Sequence, residues 1–203
     1  MKDIFISVTI PTRDRARLLL KCVKSAQLLA LFPNNIEYLI LIDEEDNKTL
    51  SFIEKEKYFK EIKNLRIFTC PRIGYGYHYI MMEHLMRETR GEIIVPIADD
   101  CIMTLKNWDE NFLRYRDEVK IFYHDKIDIA FTRNAYNKYE NIRRWFGSTR
   151  NTDVWIRKLG ISEGCGARMG KWYKIDKVKH VDRFDSKSLS KMELDNFQIK
   201  ERI

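Results

Sequence analysis

Four short apolar runs, separated by stretches of helical spacing, constrain what this chain can fold into more than any other feature. Residues 4–12 (Ile-Phe-Ile-Ser-Val-Thr-Ile-Pro-Thr), 36–43 (Ile-Glu-Tyr-Leu-Ile-Leu-Ile-Asp), 65–70 and the run that starts at Gly91 are β-branched and apolar, as buried strands are. After the first run, Leu18, Leu19, Cys22, Val23, Ala26 and Leu29 recur at helical spacing, so a helix follows, with Thr12 or Asp14 as its expected cap. Pro33-Asn34-Asn35 ends it, and further helices are expected over 49–62 and 75–89. Strands alternating with helices imply right-handed βαβ units and a mostly parallel sheet covered on both faces.

Beyond residue 103 the pattern loosens into a helix over 107–119, a strand over 127–132, a helix over 152–159 and an extended segment over 172–181. The charged tail, 182–203, offers a weak apolar face in Leu189, Met192, Phe197 and Ile203, which suits a docked helix or a frayed end. With 203 residues and 44% hydrophobic content, one domain is expected, divided into 1–103, 104–181 and the tail 182–203.

The run Gly91-Glu-Ile-Ile-Val-Pro-Ile-Ala-Asp-Asp-Cys-Ile-Met103 ends on two adjacent carboxylates, Asp99 and Asp100. In open α/β sheets ligands sit beyond the carboxyl ends of such strands. Neighbouring acids there repel, so either one pKa rises or a divalent metal settles between them and a substrate phosphate. The plainer role for the same pair is to cap a following helix. Strand 36–43 also ends acidic, in Asp43-Glu44-Glu45-Asp46.

Lys and Arg number 37 against 30 Asp and Glu, a net charge of +7 that suits an anionic partner: a nucleotide diphosphate, an acidic membrane surface or nucleic acid. No apolar stretch reaches the roughly 18 residues of a membrane span, and the N-terminus enters a strand pattern at once, which leaves no room for a signal peptide. A cytoplasmic protein is expected. Cys22, Cys70, Cys101 and Cys165 form no Cys-x-x-Cys pair, which argues against structural zinc or a disulfide scaffold.

The glycines narrow the ways of holding phosphate. Gly74-Tyr75-Gly76 is followed by Tyr79 where a dinucleotide fingerprint needs its third glycine, no P-loop occurs, and the loop after the first strand is Pro11-Thr12-Arg13-Asp14-Arg15. A metal on Asp99 and Asp100, with arginines, is the remaining means of gripping a diphosphate.

Three motifs in register, residues 6–15, 38–43 and 91–100, with Arg72 and Gly74 between them, resemble the nucleotide-sugar half of family 2 glycosyltransferases, which have the GT-A fold. The resemblance covers about the first hundred residues and implies an α/β, Rossmann-like domain with 1–103 as the donor half and 104–181 as the acceptor half. It implies a hexosyltransferase-type enzyme that takes a nucleotide-diphosphate sugar, a UDP-sugar by expectation, with Mn2+ or Mg2+ as cofactor. Pro11 and Thr12 would line the base pocket, with Arg13 and Arg15 also on the nucleotide sugar, and Asp43 would bind base or ribose. Arg72 and Gly74 would reach base or phosphates, Asp99 would face ribose or sugar, and Asp100 would ligate the metal. Where the family often has Asp-Asp-Gly-Ser, this chain has Asp43-Glu44-Glu45-Asp46.

An inverting transfer needs a carboxylate to take the acceptor's proton. The segment 151–159 is similar to the family's acidic stretch that opens a helix, which makes Asp153 the candidate base, and His180 stands where some members complete the metal site. Asn141-Ile-Arg-Arg-Trp145 resembles the Gln-x-x-Arg-Trp box of processive synthases but precedes Asp153 rather than following it, so processivity is not expected. Trp145, Trp155 and Trp172 could stack on an acceptor sugar, with core packing as the plainer use. Arg168, Lys171, Lys174, Lys177 and Lys179 form a basic run that could draw a phosphorylated or lipid-linked acceptor. The acceptor, whether saccharide, lipid-linked or protein, is left open, as is peripheral membrane contact. The competing reading is a non-catalytic nucleic-acid- or surface-binding protein on a degenerate scaffold of this kind, motivated by the +7 charge and by Tyr75, Tyr77 and Tyr79.

Overall fold

The structure, a computed structural model, describes residues 4–73, 78–124, 128–143, 152–168, 173–175 and 197–202. Its first half is β1 (Ile6–Thr12), α1 (Ala16–Leu29), β2 (Ile36–Asp43), α2 (Asn47–Lys55), α3 (Lys57–Glu61), β3 (Leu65–Cys70), α4 (His78–Arg87) and β4 (Ile93–Pro96). Then come β5 (Cys101–Met103), α5 (Glu110–Leu113), β6 (Ile121–His124), β7 (Asp128–Thr132), α6 (Arg133–Lys138), α7 (Glu140–Arg143), α8 (Thr152–Ser162), β8 (Gly166–Arg168), β9 (Tyr173–Ile175) and β10 (Lys200–Glu201). Eight strands form one sheet in the order β10-β3-β2-β1-β4-β7-β6-β8, while β5 and β9 pair separately. The central β3-β2-β1-β4 block is parallel throughout, and antiparallel pairing enters at β10 and at β7.

Alternation along the strands divides the core. Ile6, Val8 and Ile10 of β1 and Tyr38, Ile40 and Ile42 of β2 face the same cluster as Leu19, Cys22, Val23 and Ala26 of α1. Leu39 and Leu41 turn to the opposite face, against Met81 and Leu85 of α4. Both faces of β1 and β2 are therefore covered, and their sequences read as near-continuous apolar runs for that reason. A third cluster, with Ile94, Ile121, Phe131, Tyr136 and Ile156, fills the antiparallel side.

Several elements differ from the sequence expectation. Neither Thr12 nor Asp14 caps α1; the N-cap position is Arg15, which makes no side-chain cap. The helix expected over 49–62 is broken at Glu56, whose extended backbone separates α2 from α3 and whose carboxylate accepts from the Tyr58 amide. The helix expected over 107–119 is a single short turn, α5, followed by further turns. Strand β6 lacked a clear alternation and is held by tertiary pairing to β7 and β8. The end of the tail is neither helix nor frayed: β10 adds antiparallel to β3, Phe197 is buried with Phe68, Ile73 and Leu85, and its ring meets His84 edge-on at 5.3 Å. Among the described residues no helix is long and apolar enough to cross a membrane.

At the amino ends of β1 and β4 the chain packs against itself without room to spare. A Cβ on Gly91 would stand 2.6 Å from the Ser7 nitrogen and 2.7 Å from the Ile6 carbonyl carbon, which are backbone atoms that cannot turn aside. Gly91→Ala is therefore expected to destabilise the chain by about 1–3 kcal/mol, the usual cost of overpacking, read as a lower midpoint in urea unfolding with an unchanged slope.

Candidate active site

The strand order reverses at β1, which has β2 on one side and β4 on the other. That is the switch point of an open α/β sheet, where a crevice opens beyond the carboxyl ends. Two prolines help to open it. The β1–β4 ladder ends at Thr9 and Pro96, prolonged only by the Ile97 amide on the Thr9 carbonyl at 3.0 Å, and Pro11 lies beyond that last contact.

Past β4 the chain turns sharply. The Cys101 amide donates to the Ala98 carbonyl at 3.1 Å, so Asp99 and Asp100 are the two corner residues of a β-turn. A strand, β5, follows it and leaves no helix for either acid to cap. The pair is instead gripped from β1: the Thr12 hydroxyl donates to Asp99 Oδ2 at 2.7 Å, and Arg15 Nη1 lies 3.0 Å from Asp99 Oδ1 and 3.8 Å from Asp100 Oδ2. Asp99 and Asp100 are only 3% and 4% exposed.

The same loop grips the neighbouring strand. Asp14 adopts the left-handed conformation, with φ of 53°, and this splays the arginines on either side of it. Arg15 goes to the β4 turn, while Arg13 pairs with Asp43 at the end of β2 and donates from Nη2 to the Ile73 carbonyl at 2.8 Å. Asp46 locks the arrangement. Its Oδ1 caps α2 at the Thr49 amide, 3.0 Å away, and its Oδ2 accepts from the Asp14 amide at 2.7 Å. The helix that follows β2 is therefore capped by Asp46 and not by Asp43, and an acid three residues before Thr49 is a recognisable helix start.

Burial sets the electrostatics. It pushes the carboxyl of Asp99 up from its ordinary range, and the Thr12 hydrogen bond and the Arg15 charge only partly oppose this. Asp43 is raised in the same way, opposed by its hydrogen bond and ion pair with Arg13 and by the nearby charge of Arg72. His78, at the start of α4, is pushed down to about 4, first by burial and then by Arg13, so a neutral imidazole stands near the Arg13–Asp43 pair at pH 7. Nothing in the local sequence pointed to it.

Of the expected site residues, Thr12, Arg15, Asp99 and Asp100 converge in one group, and Arg13 and Asp43 in a second beside it. Pro11 is in the next-to-last pair of the β1–β2 ladder, in register with Leu41, and Arg72 is exposed just past β3. Asp153 is the second residue of α8, where the helix dipole favours a carboxylate, and its side chain is outside the described residues. Gly74, His180, Trp145 and Trp172 also lie outside them.

Among the described residues no three His, Cys, Asp or Glu side chains converge on a point. Two adjacent carboxylates at an open crevice do not make a closed structural site. They do fit a hard dication such as Mg2+ or Mn2+, which takes one or two carboxylates and completes its shell with phosphate oxygens and water.

The chain matches the family described as Glycosyl transferase family 2 over residues 7–176. Among solved structures it resembles S. aureus TarS 1–349 in complex with UDP-GlcNAc, with TM-score 0.67 and 14% identity over 92% of this chain and 62% of that one. A further structure of S. aureus TarS 1–349 gives TM-score 0.64 at 13% identity, covering 83% and 59%. The mannosyltransferase PcManGT from Pyrobaculum calidifontis, in complex with GDP-Man and Mn2+, gives 0.62 at 14% identity, covering 83% and 55%. At such identities the likeness is one of fold, and the chain spans about three-fifths of the length of these structures. No curated protein matches the chain.

The raised carboxyl of Asp99 has a consequence for stability. The native state holds that proton to a higher pH than the unfolded chain does, so stability is lost as pH rises from the ordinary carboxylate range through the raised value. Asp99→Asn is expected to unfold at higher denaturant than the parent at neutral pH, with the gap closing as the pH falls to about 4, near the unperturbed Asp value. Urea titrations at a series of pH values check this; a variant less stable than the parent at neutral pH contradicts it.

Proposed function

This chain belongs to glycosyl transferase family 2, and from that premise we propose that it transfers a sugar from a nucleotide-diphosphate donor through the crevice between β1 and β4. The observation that carries the reading is the Thr12–Asp99–Arg15–Asp100 group, which sets a hydroxyl, a guanidinium and two buried carboxylates side by side at the switch point. A diphosphate linked to a sugar offers matching groups: anionic oxygens for Arg15 and a bound dication, and sugar or ribose hydroxyls for Asp99.

In this reading residues 1–103 form the donor half and 104–181 the acceptor half. Pro11 and Thr12 line the base pocket, and Asp43, held ionisable by Arg13, accepts from base or ribose hydroxyls. Arg72 reaches base or phosphate, with Gly74 also among the nucleotide-sugar-binding residues. Asp100 is the direct ligand of Mn2+ or Mg2+, with His180 completing the set. When bound, the dication neutralises charge on the departing diphosphate. Asp153 takes the proton of the acceptor hydroxyl as that oxygen bonds to the anomeric carbon and the bond from carbon to diphosphate oxygen breaks, which inverts the centre. A uridine donor is favoured because a structure of similar fold was obtained with UDP-GlcNAc, and manganese because another was obtained with GDP-Man and Mn2+.

Steady-state kinetics of donor hydrolysis and of transfer to an acceptor separate these roles. Asp100→Ala is expected to lower both rates by about two to three orders of magnitude, the several kcal/mol a catalytic metal supplies. Asp153→Asn should lower transfer by about 10²–10⁴-fold, the range of general-base catalysis, while donor affinity stays within a factor of a few. If Asp100→Ala keeps manganese-dependent hydrolysis, the metal assignment fails; if Asp153→Asn keeps full transfer, the base lies elsewhere.

A further inference from the structure

Of the four large apolar side chains exposed among the described residues, three lie within 28–32: Leu28 at 68%, Leu31 at 42% and Phe32 at 42%. Leu28 is on α1, and Leu31 and Phe32 follow just past its extended C-cap, Ala30. Arg17, Lys21, Lys24 and Leu28 are spaced by four, three and four residues and are all exposed, so one stripe of the helix carries three cations and ends in an apolar tip. No Asp or Glu occurs from residue 15 to residue 36. Beside α1, where the Lys24 ammonium stands 5.5 Å from the Tyr58 ring centre, the ends of α2 and α3 set Lys55, Lys57 and Lys60 against Glu54, Glu56 and Glu61, with Lys57 and Glu61 paired at 3.6 Å, so that surround is close to neutral and the net positive charge is that of the α1 stripe.

The apolar tip is held in place from beneath. Asp109 is 1% exposed, and its two carboxylate oxygens accept from the Leu31 and Phe32 amides at 2.8 and 2.7 Å. The Asn107 amide donates to the Leu29 carbonyl at 2.6 Å, and the Phe32 ring meets Phe5 edge-on at 6.5 Å. A buried carboxylate spent on two loop amides fixes a backbone that presents Leu31 and Phe32 outward, at the cost of leaving them in water. Leucine and phenylalanine at the tip of a basic, acid-free helix face have the composition of an element that lies in a bilayer interface. The apolar groups enter the acyl boundary, and the cations meet anionic headgroups.

We infer that the outer face of α1 with the loop through Phe32 is a docking surface for an anionic lipid bilayer. A helix of 14 residues is about 21 Å long, so a chain resting on the bilayer through this face keeps Arg15, and the crevice beside it, within one helix length of the anchored tip.

Co-sedimentation of the full chain with lipid vesicles tests the inference. The chain should pellet with vesicles of mixed phosphatidylcholine and phosphatidylglycerol, not with phosphatidylcholine alone, and high salt should release it. Lys21→Gln with Lys24→Gln should weaken binding about 25-fold, at roughly fivefold for each cation lost near the surface. Leu28→Ser with Leu31→Ser should also abolish pelleting at equal protein, with circular dichroism unchanged because every altered side chain is exposed. The inference is overturned if the parent does not pellet with anionic vesicles, if it pellets equally with neutral ones, or if neither double variant alters binding. It is also overturned if sedimentation velocity shows a dimer that Leu28→Ser with Leu31→Ser makes monomeric and neither form binds vesicles, since a second copy is then the occupant.

Discussion

The candidate site depends on one short loop, residues 13–15, that sends a cation to each side of β1. Arg15 meets the buried Asp99–Asp100 turn and Arg13 meets Asp43, with Asp14 between them in the left-handed conformation. Without these cations, three carboxylates would be sunk at the ends of the two strands that flank β1, with the Thr12 hydroxyl on Asp99 and the nearby charge of Arg72 on Asp43 as weaker support, an arrangement that costs several kcal/mol per charge. The loop is fixed in turn by Asp46 through the Asp14 amide. Sheet order, acid positions and arginine reach are therefore one constraint: β1 must lie between β2 and β4 for a single loop to serve both.

The two ends of the parallel strands use buried charge differently. At the amino end, Glu37 accepts from the Ser7 hydroxyl and the Arg90 amide, both at 2.6 Å. Arg66 nearby is spanned by Glu201 at 2.7 and 3.0 Å and donates to the Glu88 carbonyl at 2.6 Å. That network ties β10 to the sheet edge with its polar groups well matched. At the carboxyl end burial outweighs the partners, and both Asp43 and Asp99 are raised. Acids kept where they are costly, beside a crevice, mark a binding site better than a structural one.

Legibility in the sequence followed the range of the interactions. Strands 36–43 and 65–70 are found at those residues, because continuous β-branched runs buried on both faces can do little else. The helix over α1 was written in its spacing. The convergence of Thr12, Arg15, Asp99 and Asp100 could be anticipated because each lies at the end of a strand whose neighbours were readable. Features settled by tertiary contact were not readable: the pairing of β6, the separate β5–β9 sheet and the addition of β10 to an edge already formed. Two acids, Asp46 and Asp109, act on backbone amides far away in sequence, and neither role has a local pattern beyond the Asp46 cap. His78 came to the Arg13–Asp43 pair through the placement of α4, which only the packed structure fixes.

We propose that Asp100, at the β4 turn, holds a diphosphate through a dication while Asp99 beside it faces ribose or sugar. Isothermal titration calorimetry of the parent chain with UDP and with GDP, each with and without Mn2+, addresses it most directly. The account predicts saturable, one-site binding of a nucleoside diphosphate only when Mn2+ is present. Equal affinity without the metal, or no heat with either nucleotide in its presence, would contradict it.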